Sequence, residues 1–271
     1  LKMNFYKLPC KVFGTVLIVL LAIGNVFAQT NVSAVTLTEE EQAWIIEHPV
    51  LIASNRFYQA PTDFFQEGKP TGFGVDYLNL IASKVRLKIE YESDPEWSKL
   101  YQRFKNKEID IIHSVVENEE RLKFIDFSKS YLDVPIAYYG RVGADKIGDE
   151  TDLKDKKIGV IQGGVIYETY KFKYPDLNII EYASYSAALR ALSLSNIDVF
   201  VGSLITINYA IISDYIPGLE IIGNSTSFNE TGELNHRLGV DINNTILMDI
   251  LEKGMSAITT QEFRALSEKW L

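Results

Sequence analysis

The chain has 271 residues, 46% of them hydrophobic and 23% charged, which suits one large folded domain or two ordinary ones and excludes a disordered or fibrous protein. Its 27 basic and 36 acidic residues give a formal charge of −9, which excludes a nucleic-acid binder, since phosphate neutralisation needs clustered Lys and Arg.

Lys2, Lys7 and Lys11 precede an apolar segment from Val12 to Ile23, and Val26-Phe27-Ala28 offers small residues for a signal peptidase. The segment is short for a membrane span, so residues 1–28 are expected to be a cleaved secretory signal, with an uncleaved anchor as the alternative. Cleavage after Ala28 would leave 24 basic and 36 acidic residues, a charge of about −12. It would also remove Cys10, the sole cysteine, and with it any thiol chemistry.

Residues 29–49 read as a tether and a short helix, opened by the capping-box pair Thr38 and Glu41 and stopped by Pro49. Val50 to Ser54 is an expected strand, followed by an aromatic loop from Phe57 to Pro61 and a turn from Gly68 to Gly74. Val75, Leu78, Ile81, Ala82 and Val85 then fall at helical spacing. Lys88 to Tyr91 reads as a strand, Trp97 to Phe104 as a helix, and the apolar run Ile109 to Val116 as a strand covered on both faces of a parallel sheet. Asn118 suits an N-cap, with Glu119 and Glu120 in the first helical turn and Arg121 next.

After a polar connection from Gly143 to Asp155 the rhythm restarts. Strands are expected at Lys157–Gln162, Asn178–Tyr182 and Ile197–Val201, with helices at Val165–Tyr174 and Ser186–Leu194 and a final helix at Leu247–Leu271. Such alternation implies two α/β units built on parallel sheets.

The end of the Ile109–Val116 strand gathers an arginine and free backbone N–H groups where open α/β sheets bind ligands, and a helix start there suits an anion. Arg121 is therefore the first candidate; a surface arginine paired with Glu117 or Asp126 is the alternative. Ser114, Val115 and Glu117 share its turn. Tyr58 and Trp97 could wall a cleft, as could Phe57, for which core packing is equally open. Gln162-Gly163-Gly164 forms a strand-to-helix turn through which backbone can approach a ligand. His48, His113 and His236 lack metal-ligand spacing, and no phosphate loop or nucleophile elbow is present, so no cofactor or metal is expected.

The stretch IDIIHSVVENEERLKFIDFSKSYL, from Ile109 to Leu132, resembles the bacterial family 3 solute-binding proteins, whose usual form is close to IDAIISGMTITPER followed by VDFSDPYY. The spacing from Asp110 to Arg121 is one residue shorter, as in the periplasmic sensing domains of multidomain histidine kinases and some cyclic-dinucleotide enzymes. GFGVDYLNLIA at 72–82 and ILEKGMSAITTQEFRALSEKWL at 250–271 extend the likeness from about residue 37 to the end.

This resemblance implies an α/β, two-lobed periplasmic binding protein-like fold of type II, each lobe a mostly parallel sheet flanked by helices. Residues 50–139 with 236–271 would form one lobe and 140–235 the other, joined by a two-stranded hinge with crossings near Tyr138–Arg141 and Asn235–Val240. It implies a non-catalytic periplasmic protein that closes on a small-molecule ligand of the amino-acid or organic-acid class. The partner would be an ABC permease or a membrane-bound sensor module. Arg121 would meet a ligand carboxylate. Ser203 stands where amino-acid binders place an aspartate for the α-ammonium, and a neutral serine cannot offset a buried cation, so a carboxylate or another polar metabolite is favoured over an ordinary α-amino acid. A dehydratase-like enzyme, with Glu117 as acid or base, is the remaining alternative.

Overall fold

The computed structural model describes residues 35–225 and 232–271, so the expected signal segment, its cleavage site and Cys10 lie outside the described residues. Thr38 closes its capping box with Glu41 and opens α1 (Glu39–Glu47). β1 (Leu51–Arg56) leads into a small antiparallel sheet of β2 (Tyr58–Gln59), β3 (Asp63–Gln66) and β4 (Lys69–Thr71). α2 (Phe73–Val85) follows, then β5 (Ile89–Asp94), parallel to β1, then α3 (Trp97–Lys105) and β6 (Ile112–Val115).

The apolar run at 109–116 is only half strand. Asp110 Oδ2 accepts from the Ile52 N–H at 2.7 Å, and a single parallel bridge, Ala53 to Ile111, ties the run to β1. β6 itself pairs antiparallel with β13, not within a parallel sheet. The helix expected after Asn118 is a 3-10 turn, Arg121–Lys123, because the chain must rejoin the sheet at once as β7 (Ile125–Phe127). Glu120, not Asn118, stands at the N-cap of this turn, but the Asn118 Oδ1 still accepts the Arg121 N–H, at 2.8 Å.

β8 (Leu132–Arg141) enters the second half of the fold, where β9 (Lys157–Ile161), α4 (Val165–Lys173), β10 (Asn178–Tyr182), α5 (Tyr185–Ser193) and β11 (Val199–Ser203) follow the expected alternation. β9 is parallel to both β10 and β11. α6 (Leu204–Ser213) and β12 (Leu219–Asn224) complete this half, and β13 (Glu233–Asp241) returns to the first. The segment 143–155 holds a short 3-10 turn and buries Ile147 and Leu153, so it is more than a surface connection.

Tyr138–Arg141, expected at the crossing, pair instead with β11 and β12. The two long strands meet each other at Leu132–Pro135 and Glu233–His236. Packing changes side there as well. Leu132 joins the core of α2 and α7, whereas Ile136 joins that of β9 and α4; on β13, Leu234 belongs to the latter and Leu238 to the former. The result is a two-lobed periplasmic binding protein-like fold.

The expected terminal helix is two: α7 (Thr245–Ser256) and α8 (Thr260–Trp270), separated because Thr259 starts a new capping box with Glu262. α2 buries Phe73, Leu78 and Ile81 completely, each contributing roughly 1.5–3 kcal/mol. α7 lies close against it at Gly254, where an added Cβ would sit 2.7 Å from Ile81 Cγ2. Both terminal helices are fastened to this lobe. Lys253 Nζ reaches Glu41 on α1 at 2.7 Å, while Lys269 Nζ and Trp270 Nε1 reach Asp76 from α8 at 2.6 and 2.8 Å.

Candidate functional site

Strand ends converge on a cleft of about 400 Å³ between the two lobes. One wall carries Arg56, Tyr58, Trp97, Ser114, Arg121 and His236; the other carries Gln162, Gly163, Gly164, Glu181 and Tyr185. Gly163 holds a left-handed conformation, φ +63°, that lets the turn close, and a Cβ there would come within 3.9 Å of Trp97 Cδ1. The walls are therefore in near contact at this point.

Arg56 is the feature sequence reasoning missed on the first wall. It ends β1, and its backbone N–H and Nε both donate to the carboxylate of fully buried Asp63, each at 3.2 Å. Asn55 Nδ2 adds a third donor to Asp63 at 2.6 Å. Arg56 Nη2 donates to the Ser114 carbonyl at 2.5 Å, and the guanidinium lies 4.7 Å from the Trp97 ring centroid. Trp97 is thus a platform held by a fixed cation.

Arg121 is 5% exposed, far from the surface arginine of the alternative reading. Nη1 donates to the Val116 carbonyl at 2.8 Å, and Nη2 donates across the cleft to Glu168 Oε1, at 3.2 Å from either carboxylate oxygen. Asn118 Nδ2 also reaches Glu168, at 2.7 Å. Burial pulls the Arg121 pKa below its usual value, and Glu168 opposes that shift. Glu168 sits in the first turn of α4, a placement favoured by the helix dipole. Its partner is 47 residues away, and nothing in the local pattern of either segment announces the pair.

Ser114 is buried in a left-handed conformation, φ +53°, a cost of about 1–3 kcal/mol for a residue with a side chain. Tyr131 holds it there: its hydroxyl accepts the Ser114 N–H and bonds Oγ, both at 2.9 Å. The N–H expected to greet a ligand is accordingly engaged within the protein.

Three expected site residues lie elsewhere. Val115 is 1% exposed and packs with Leu100, Phe104 and Ile125. Glu117 pairs with Arg237 at 3.3 Å in a separate groove, rather than with Arg121. Ser203 is fully buried at the N-cap of α6, accepting from the Thr206 hydroxyl at 3.2 Å; it does not line the cleft, because a helix starts at the next residue and claims the side chain. Tyr58 is 53% exposed at the cleft mouth, edge-on to Phe57, which stacks on Phe65 at 4.8 Å. Among the described residues no group of three or more His, Cys, Asp or Glu side chains could hold a metal ion.

His236, on β13, is 1% exposed, with Nδ1 donating to the Ser114 carbonyl at 3.3 Å. Burial, reinforced by the Arg56 charge, pushes its pKa down to about 4. The unfolded chain then binds a proton below about pH 6.5 that the folded one refuses. This contribution to stability is complete above pH 6.5, shrinks as pH falls, and is gone near pH 4; burial depresses His113 in the same direction. Between pH 7 and pH 5 the expected loss from His236 is on the order of 2 kcal/mol. Urea unfolding at both values should show a shallower pH dependence for His236→Asn; an unchanged slope would refute the assignment.

Three comparisons bear on this architecture. Over 244 residues the chain is 25% identical to the sensor protein EvgS of Escherichia coli strain K12, covering 87% of this chain and 19% of that protein, so it spans about a fifth of that relative's length. It is 27% identical to the arginine-binding periplasmic protein of Mannheimia haemolytica, over 76% of this chain and 84% of that one. The periplasmic VFT2 domain of Bordetella pertussis BvgS superposes with a TM-score of 0.75 at 20% identity, covering 87% of this chain and 99% of the domain. The family model for bacterial extracellular solute-binding proteins, family 3, matches residues 52–271. The chain belongs to that family.

Proposed function

We propose that the cleft captures a small polar or carboxylate-bearing metabolite and that the lobes close on it, for ABC-type uptake or for signalling. The observation that carries this reading is Arg121: a buried guanidinium at the interlobe cleft, aimed at the opposite wall and flanked by the Trp97 platform. A charge-assisted pair of this kind contributes about 1.5–3 kcal/mol, a change of roughly 10- to 150-fold in Kd. We place the lobe boundaries where the packing changes side, so that residues up to about 132 and from about 237 form one lobe and those between form the other.

The relatives include sensor proteins and arginine- and histidine-binding proteins, and capture of a ligand in the cleft would serve uptake or sensing alike. A sensing domain coupled to a membrane-bound module is the second reading, supported by the one-residue shortening before Arg121 that the sensing domains share. A periplasmic location fits either role. We also propose that binding proceeds without chemistry, since Glu117, the residue considered as an acid or base, is ion-paired with Arg237 outside the cleft.

The test is a thermal-shift screen of residues 29–271 against amino acids, organic acids, sugars and polyamines. A ligand at a hundred times its Kd adds about 2.7 kcal/mol, so a binder should raise the Tm by several degrees. Silence from every organic acid, with a response to amines or sugars, would overturn the carboxylate reading.

A further inference from the structure

Arg121 is a buried cation whose only ion-pair partner among the described residues comes from the other lobe. We propose that Glu168 is an interlobe stand-in for a ligand carboxylate: from the groove adjoining the cleft it reaches Arg121, supplies the counter-charge that an acid would otherwise bring, holds the lobes together without ligand, and must be exchanged by any acid that pairs with Arg121. This rests on the reading of the cleft as a capture site.

Glu168 is held as a bound acid would be held. Oε1 accepts from Arg121 Nη2 and Oε2 from Asn118 Nδ2, at 3.2 and 2.7 Å. Both donors are themselves fixed. The Asn118 side-chain Oδ1 accepts the Arg121 N–H, and the other arm of the guanidinium is pinned on the Val116 carbonyl. The nearby N–H of Ser114, a second possible anchor for an anion, is already given to Tyr131.

The charge balance then sets specificity. An acid entering the cleft swaps one charge-assisted pair for another, so the net gain is small. A ligand without a carboxylate leaves the pair intact. Exchange is open to Glu168 because its side chain is 39% exposed and can turn to water without burying its charge, whereas that of Arg121 is 6% exposed. An Arg121 left alone would be an unmatched buried charge, relieved either by opening of the lobes or by an incoming anion.

Glu168→Gln keeps the shape and removes the charge; Glu168→Asp keeps the charge on a shorter arm. Unliganded proteins would be compared by small-angle scattering, and binding of acetate and of succinate by calorimetry. The Gln variant is expected to have a larger radius of gyration than the wild type and to bind at least one of the two acids about tenfold more tightly, with the Asp variant nearer the wild type. Equal compactness and equal affinity in wild type and Gln variant would overturn the role of Glu168 while leaving acid capture standing. Expansion of the Gln variant with no binding of either acid would support the interlobe tie and overturn the acid-capture reading beneath it.

Discussion

Arg121→Ala is expected to raise the Kd for carboxylate ligands by roughly tenfold, the low end for one charge-assisted hydrogen-bonded pair, because the pair with Glu168 that an acid displaces offsets the rest. The fold should survive, because the guanidinium bonds a carbonyl and a carboxylate at the cleft and does not belong to any of the apolar cores. Arg121→Lys keeps the charge but loses the planar fork that reaches Val116 and Glu168 together, so an intermediate affinity is expected. Calorimetric titration of both variants with the best acid from the thermal screen is the check. An alanine variant that binds as the wild type does would remove Arg121 from the site.

Asp63→Ala should cost about 3 kcal/mol of stability, the largest effect expected from any single polar substitution near the cleft. The carboxylate is fully buried and accepts from Asn55, the Arg56 backbone and the Arg56 side chain. Its removal strands three donors and leaves Arg56 without a counter-charge. The value sits at the low end of the range for broken buried pairs because the Arg56 side chain is 20% exposed and water can compensate part of the loss. Urea unfolding measures it directly, and a midpoint within error of the wild type would contradict the network. Trp97 fluorescence should change as well, since Arg56 no longer lies over its ring.

How much of this was readable from the sequence follows from the range of each interaction. The alternation of strands and helices is a local property of apolar spacing, and β10 and α4 fall almost where periodicity puts them. Thr38 and Glu41 announced α1 because a capping box closes within four residues. The same signature, Thr259 with Glu262, also marks the break between α7 and α8, but a continuous apolar pattern on both sides masked it. Arg121 was found through a motif; Glu168 and Asp63 were not, because their partners lie on the other lobe or at the end of β1 and no spacing rule connects them. Ser203 shows the opposite failure. A position matched by family likeness carries a ligand role only if its side chain is free, and here a helix start has already taken the hydroxyl.

The antiparallel pairing of Leu132–Pro135 with Glu233–His236 makes the second lobe a lever on a torsion bar. Both described ends of the chain, α1 and α8, are clamped to the first lobe by Lys253–Glu41 and Lys269–Asp76, so that lobe acts as the chassis. The lever joins the chassis covalently through this ribbon and is braced against it by the pair at Arg121 and Glu168. A shift of that brace would fall as twist on the eight paired backbone residues of the ribbon.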